Sequence, residues 1–185
     1  MQEKSKAMRK IITFLVLVLI ISVPFYYIII RSGSLQTMGG IYVLGLIWAP
    51  GISGLLTQLI HEHSLRGMGW KLGKAKYLLI AYLTPLAYCL VVYGITWLTG
   101  LGSVPNPDFI SNVGLAFTSP TMSTLLKVLL YCGYLAVFGV LSGVISGAGE
   151  EIGWRGLFVP ELAKVTSFTK TVFISGAVWT VWHLP

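Results

Sequence analysis

The stretch MQEKSKAMRKIITFLVLVLIISVPFYYIII, residues 1–30, opens on the basic side chains Lys4, Lys6, Arg9 and Lys10 and then stays apolar from Ile11 to Ile30. Two kinds of segment begin this way. A secretory signal has a basic start, an apolar core of about 7–15 residues and a small-residue cleavage site. Here the apolar block is about 20 residues long, enough for a helix to cross the hydrocarbon layer, and no small-residue site follows it. Residues 11–30 are therefore read as a retained first transmembrane helix.

The remainder of the chain has the same character. Of its 185 residues 55% are hydrophobic and 10% charged, with a mean hydropathy of +0.81, which excludes an ordinary soluble domain. Apolar runs follow at 38–60, 77–98 and 125–147, and a further one opens at Thr171 and is still running at Pro185. The expected fold is all-α, a polytopic transmembrane helical bundle with about five spans, forming a single membrane domain over 1–185. Residues 1–60 supply its N-terminal spans. The last run lacks a flanking charge, so the chain is expected to be C-terminally truncated, with later spans missing.

The formal charge of +7 is concentrated in some of the connectors. The N-terminus and the 61–76 loop, with Arg66, Lys71, Lys74 and Lys76, are basic, whereas residues 31–37 hold only Arg31 and the loop 99–124 only Asp108. Such an asymmetry orients helices rather than binding nucleic acid, and it places the N-terminus, the 61–76 loop and the 156–170 connector in the cytoplasm. Cys89 and Cys132 lie inside apolar runs and are expected to be small core residues.

Against this background the stretch SGAGEEIGWRGLF, residues 146–158, stands out because it places two carboxylates and a guanidinium beside a lipid-adapted run. Gly139, Gly143 and Gly147 recur every four residues, with Ser142 and Ser146 beside them, and are expected to form a close helix–helix seam. On a regular helix Glu150 falls within roughly 20° of that face and Glu151 about 80° away from it. Arg155 lies four residues beyond Glu151, the spacing of an ion pair along a helix. The two glutamates should then differ, Glu151 paired and Glu150 aimed into the bundle. The competing reading has the whole cluster solvated at a helix end, but ionisable groups at membrane depth are costly and seldom lack a functional cavity.

In SGAVWTVWHLP, residues 175–185, the residues Gly176, Trp179 and His183 share one helical face. A lone histidine in an apolar segment is commonly a packing residue. Facing Glu150 across a polar pocket, it could instead orient a water that the carboxylate deprotonates, stabilise developing charge, or bind a metal. HEHS, residues 61–64, lacks the HExxH spacing of a zinc helix and is expected to be an interfacial cap, with Trp70 anchoring at the headgroups.

These residues resemble the CPBP family, the CAAX-processing and bacteriocin-processing (Abi) intramembrane proteases. Glu150, Glu151 and Arg155 match its EExxxR motif, Trp179 and His183 match FxxxH with tryptophan in the aromatic position, and WHLP is typical of bacterial members. The resemblance covers a partial protease region within 61–185, and the family's later histidine motif has no counterpart. It implies a CAAX-prenyl-protease-like enzyme in a bacterial cell membrane, hydrolysing a peptide or protein substrate near the cytoplasmic face. In such an enzyme Glu150 activates water, His183 assists, and Glu151 and Arg155 complete the site. The family's metalloprotease labelling implies a divalent metal such as zinc, although one Glu and one His fall short of the three protein ligands usual at catalytic zinc. Two other classes stay open: a non-catalytic bacteriocin-immunity or peptide-binding protein on the same scaffold, and a small transporter relaying charge through Glu150 and Arg155.

Overall fold

The computed structural model describes residues 2–103, Asn106, Asp108 and 121–185. Most of the 99–124 loop, on which part of the charge argument rests, lies outside the described residues. No strand occurs among the described residues. The helices are α1 (Gln2–Ser32), α2 (Ile41–Glu62), α3 (Ala75–Leu98), α4 (Thr124–Tyr134), α5 (Val140–Gly153), α6 (Val159–Val165) and α7 (Phe168–Trp182). A 3-10 turn, Thr37–Gly40, precedes α2, and π turns occupy Leu135–Gly139 and Trp154–Phe158. Gln2–Ser32, Thr37–Glu62, Ala75–Leu98 and the helical run Thr124–Val165 are each long and apolar enough to cross a membrane. The fifth apolar run forms α7, whose 15 residues are shorter than a span.

Two compact units divide the chain: one comprises Met1–Trp70 and Leu141–Pro185, the other Lys71–Val140. In the second unit α3 and α4 bury none of their residues, and the aromatic stacks Tyr93–Trp97 and Tyr134–Phe138 run along the helices themselves. Cys89 and Cys132 are accordingly exposed free thiols, not the core residues expected, because these helices present apolar side chains outward on every side. Such a surface suits lipid.

In the first unit α1 carries two stripes. Ala7, Ile11, Phe14, Val18 and Ser22 recur every three or four residues and are buried, while Ile12, Val16, Leu19, Val23, Tyr27 and Ile30 are exposed. The buried stripe lies along α2 and reaches the π turn, where Phe14 meets Trp154 edge-on at 5.3 Å and stacks on Phe158 at 5.5 Å. Leu157, Leu162, Met68 and Trp182 complete this core.

The connector expected at 156–170 is instead helical almost throughout. Pro160 reads as a breaker because it lacks an N–H, but it sits in the first turn of α6, where no intrahelical donor is needed. The π turn carries the chain into it, with the Val159 N–H bonded to the Trp154 carbonyl. Glu150, Glu151 and Arg155 therefore lie within a helical run, and the chain breaks only at 166–167.

Candidate functional site

Close approach of α2 and α5 positions the glutamates. A Cβ added at Gly149 would lie 2.8 Å from the Ile47 carbonyl oxygen and 2.9 Å from the Trp48 Cα, one at Gly51 would lie 2.5 Å from the Gly149 carbonyl oxygen, and one at Gly153 would run into the Pro50 carbonyl. The expected seam is corrected by this geometry: a Cβ at Gly143 or Gly147 would meet no described atom within 4 Å, and at Gly139 only Leu135 of the adjoining turn. A seam needs small residues on both partners, and the glycines of α2, Gly51 and Gly54, stand opposite Gly149 and Gly153.

With Gly149 and Gly153 against α2, Glu151 points to the opposite side of α5. It pairs with Arg155 at 2.8 Å, and both side chains are 58% exposed. Glu150 sits at the edge of the seam, with its side chain 22% exposed, and turns towards α7. The Trp179 indole N–H donates to Glu150 Oε2 at 2.9 Å, and His183 Nε2 lies 4.0 Å from the same oxygen.

His183 caps α7. Its Nδ1 is 2.8 Å from the Trp179 carbonyl oxygen, and since a carbonyl only accepts, Nδ1 carries the hydrogen of this bond. In the neutral ring Nε2 is then an acceptor turned to Glu150. The imidazole lies between two indoles, Trp179 at 4.0 Å and 49° and Trp182 at 4.6 Å and 89°. Trp182 is buried, and its indole N–H donates to Ser22 Oγ at 2.9 Å while its carbonyl accepts from the Tyr26 hydroxyl. Beside Trp179 a cavity of about 140 Å³ is lined by Trp154, Arg155, Phe158, Val172, Ser175 and Gly176, among others.

Glu150, Trp179 and His183 thus come together as the helical spacing suggests; Arg155 lines the cavity, and its partner Glu151 faces Met68, Gly69 and Trp70. Gly176 lines the cavity instead of admitting a helix, since no described atom would meet its Cβ within 4 Å. The motif at 61–64 is divided: His61 Nε2 is 3.0 Å from Thr13 Oγ1, Glu62 is bound to Lys6 and Lys10, and His63 ends α2 in the left-handed conformation. Sequence reasoning missed Ser22, Tyr26 and Trp182, and also Lys10, which is buried between Glu161 at 3.0 Å and Glu62 at 2.7 Å.

Among the described residues no group of three or more His, Cys, Asp or Glu side chains could hold a metal ion. Glu150 and His183 are two donors where a catalytic zinc takes three protein ligands, so the residues present do not fit that centre.

Residues 132–185, which contain Glu150, Glu151, Arg155, Trp179 and His183, match the family model Rce1-like, type II CAAX prenyl endopeptidase Rce1-like. The CAAX-protease resemblance holds for that segment. Comparison with curated proteins and with solved structures gives no match. A family of membrane peptidases and four helices fit to span describe a multi-pass membrane protein with a peptidase-type segment.

Proposed function

We infer that the chain is an intramembrane endopeptidase in which Glu150 is the base that activates water and His183 orients it. The observation that supports this best is the convergence of Trp179 and His183 on one oxygen of Glu150. A separation of 4.0 Å between Oε2 and Nε2 suits a single bridging water, whose two hydrogens would be accepted by the carboxylate and the imidazole. Attack of that water on the scissile carbonyl carbon passes one proton to Glu150, and the carboxylic acid so formed returns it to the departing amine. The Trp179 N–H fixes the carboxylate, and Oε2, the oxygen that faces His183 Nε2, is the proton acceptor. Arg155, steadied by Glu151 at the cavity edge, is suited to grip a substrate carbonyl, and the cavity to receive an apolar side chain.

Glu151 and Arg155 border Met68, Gly69 and Trp70 of the 61–76 loop. Gly149 faces Ile47 and Trp48 of α2, fourteen or fifteen residues from Glu62, which at 1.5 Å per residue puts Glu150 about 20 Å from that end. The reaction is therefore proposed to occur on the side of the 61–76 loop, near the cytoplasmic face, with Glu150 set inward along α2.

The test is cleavage of a panel of quenched-fluorescence peptides with apolar flanks by the reconstituted chain. Glu150→Gln should reduce cleavage at least a hundredfold with no loss of thermal stability, as expected for a general base. Glu151→Gln should change stability by no more than ~0.5 kcal/mol, because its pair is exposed. Undiminished cleavage by Glu150→Gln would remove the mechanism. Peptide binding without cleavage by both the parent chain and the variant would make the protein a peptide-binding relative on the same scaffold.

A further inference from the structure

We propose that α1 belongs to the catalytic apparatus: Ser22 and Tyr26 are positioning residues that grip Trp182 at its side chain and its main chain and so aim His183 at Glu150. This rests on the reading of His183 as the group that orients the attacking water. Neither residue lies in the segment that matches the peptidase family, residues 132–185, and both are more than 150 positions from Trp182 in the sequence.

His183 caps α7, its N–H bonded to the Thr180 carbonyl, and stands one residue beyond the last helical position. The Trp182 carbonyl belongs to the peptide group whose nitrogen is that of His183. A donor on that carbonyl fixes the plane from which the imidazole projects, and Tyr26 provides it. The second hold is on the indole. Ser22 Oγ, fully buried, accepts from Trp182 Nε1 at 2.9 Å and sets the rotamer of a ring whose neighbours are His183 at 4.6 Å, Trp154 at 5.8 Å and Tyr26 at 6.4 Å.

Ser22 and Tyr26 are four residues apart, so one face of α1 presents both groups to one residue. In an apolar helix Ser22 could have satisfied its hydroxyl on its own backbone, as Ser53 does on the Ala49 carbonyl. Its oxygen has a further role, as the acceptor for an indole of the site. Packing alone would hold Trp182 in the core, but it would not define the peptide plane or the ring rotation. Two directed bonds define both, and with the Trp179 carbonyl on Nδ1 they leave the imidazole one orientation, Nε2 towards Glu150.

The test uses the full chain in detergent micelles with 15N-labelled histidine. His183 is identified among the three histidines by the signals lost in His183→Gln. The parent chain should show a single neutral form of His183 with hydrogen on Nδ1. Tyr26→Phe, which removes one oxygen and keeps the ring, and Ser22→Ala should each give averaged or doubled His183 signals and lower kcat about tenfold, with KM changed less than twofold. A displacement of one ångström at a reacting group can cost about a hundredfold, so tenfold is a modest expectation for a loosened ring. Ser22→Thr retains the hydroxyl and should restore the parent spectrum and kcat.

Parent-like His183 signals and kcat in both Tyr26→Phe and Ser22→Ala would overturn the proposal, as would a failure of Ser22→Thr to differ from Ser22→Ala. The two readings fail separately. Altered His183 signals together with undiminished cleavage by Glu150→Gln would keep the grip and remove the protease mechanism. Loss of cleavage in Glu150→Gln with intact signals and kcat in the α1 variants would do the reverse.

Discussion

Adding one methyl group at Gly149 or Gly153 should separate helices that the sequence alone would not pair. At Gly149 the new Cβ would lie 2.8 Å from the Ile47 carbonyl oxygen, against an ordinary contact of 3.4 Å or more, so α2 and α5 must part by about 0.6 Å. At Gly153 the obstacle is the Pro50 backbone, which no side-chain rotation relieves. Overpacking of this kind costs ~1–3 kcal/mol, and the better helix propensity of alanine returns up to ~1 kcal/mol, so Gly149→Ala and Gly153→Ala should each lose about 1–2 kcal/mol. Gly143→Ala and Gly147→Ala meet no described neighbour within 4 Å and should be neutral or slightly stabilising. The assay is reversible unfolding in mixed micelles, followed by tryptophan fluorescence. A displaced α5 shifts Glu150 relative to Trp179, whose N–H lies 2.9 Å from its carboxylate, so cleavage should fall in the first two variants and persist in the last two. Greater damage from Gly147→Ala than from Gly153→Ala would refute the seam and restore the one read from glycine spacing alone.

Lys10→Met should be the most destabilising single change at the other polar cluster, by about 3–5 kcal/mol, since it leaves the buried Glu161 with Lys164 as its only cation. Lys10→Met with Glu161→Gln should regain part of that loss in the same unfolding measurement. The N-terminus is proposed to be cytoplasmic: with Cys89 and Cys132 replaced by serine, an impermeant maleimide should label Ser34→Cys on intact cells and Ser5→Cys only after lysis. The opposite pattern would invert the orientation.

Much of the fold was legible because lipid imposes long apolar runs, and these became α1, α2, α3 and the Thr124–Val165 helix. Helix ends were less legible. A connector was expected at 156–170, but in an apolar setting an interrupted backbone costs more than a glycine in a helix, so the chain continues through a π turn to Val165. Lys10 read as one more basic residue of a cytoplasmic tail. Its burial depends on Glu161, 151 positions away, and no local pattern carries that information. Ser22 and Tyr26 were hidden for the same reason.

The different positions of the two adjacent glutamates were legible from spacing, and a comparison of the ion pairs around them shows what that spacing does. Glu62 is held by Lys6 and Lys10, Glu161 by Lys10 and Lys164, and Glu151 by Arg155, each within 3.0 Å of a cation. A carboxylate so paired would give up an ion pair on taking a proton. Glu150 has no lysine or arginine within 4.0 Å among the described residues; its neighbours are an indole N–H and an imidazole. An indole orients a carboxylate without carrying a charge that protonation would leave unpaired. Of two neighbours about 100° apart on α5, only Glu151 has an arginine four positions on, so the helix gives one glutamate a guanidinium and leaves the other, the proposed base, without one.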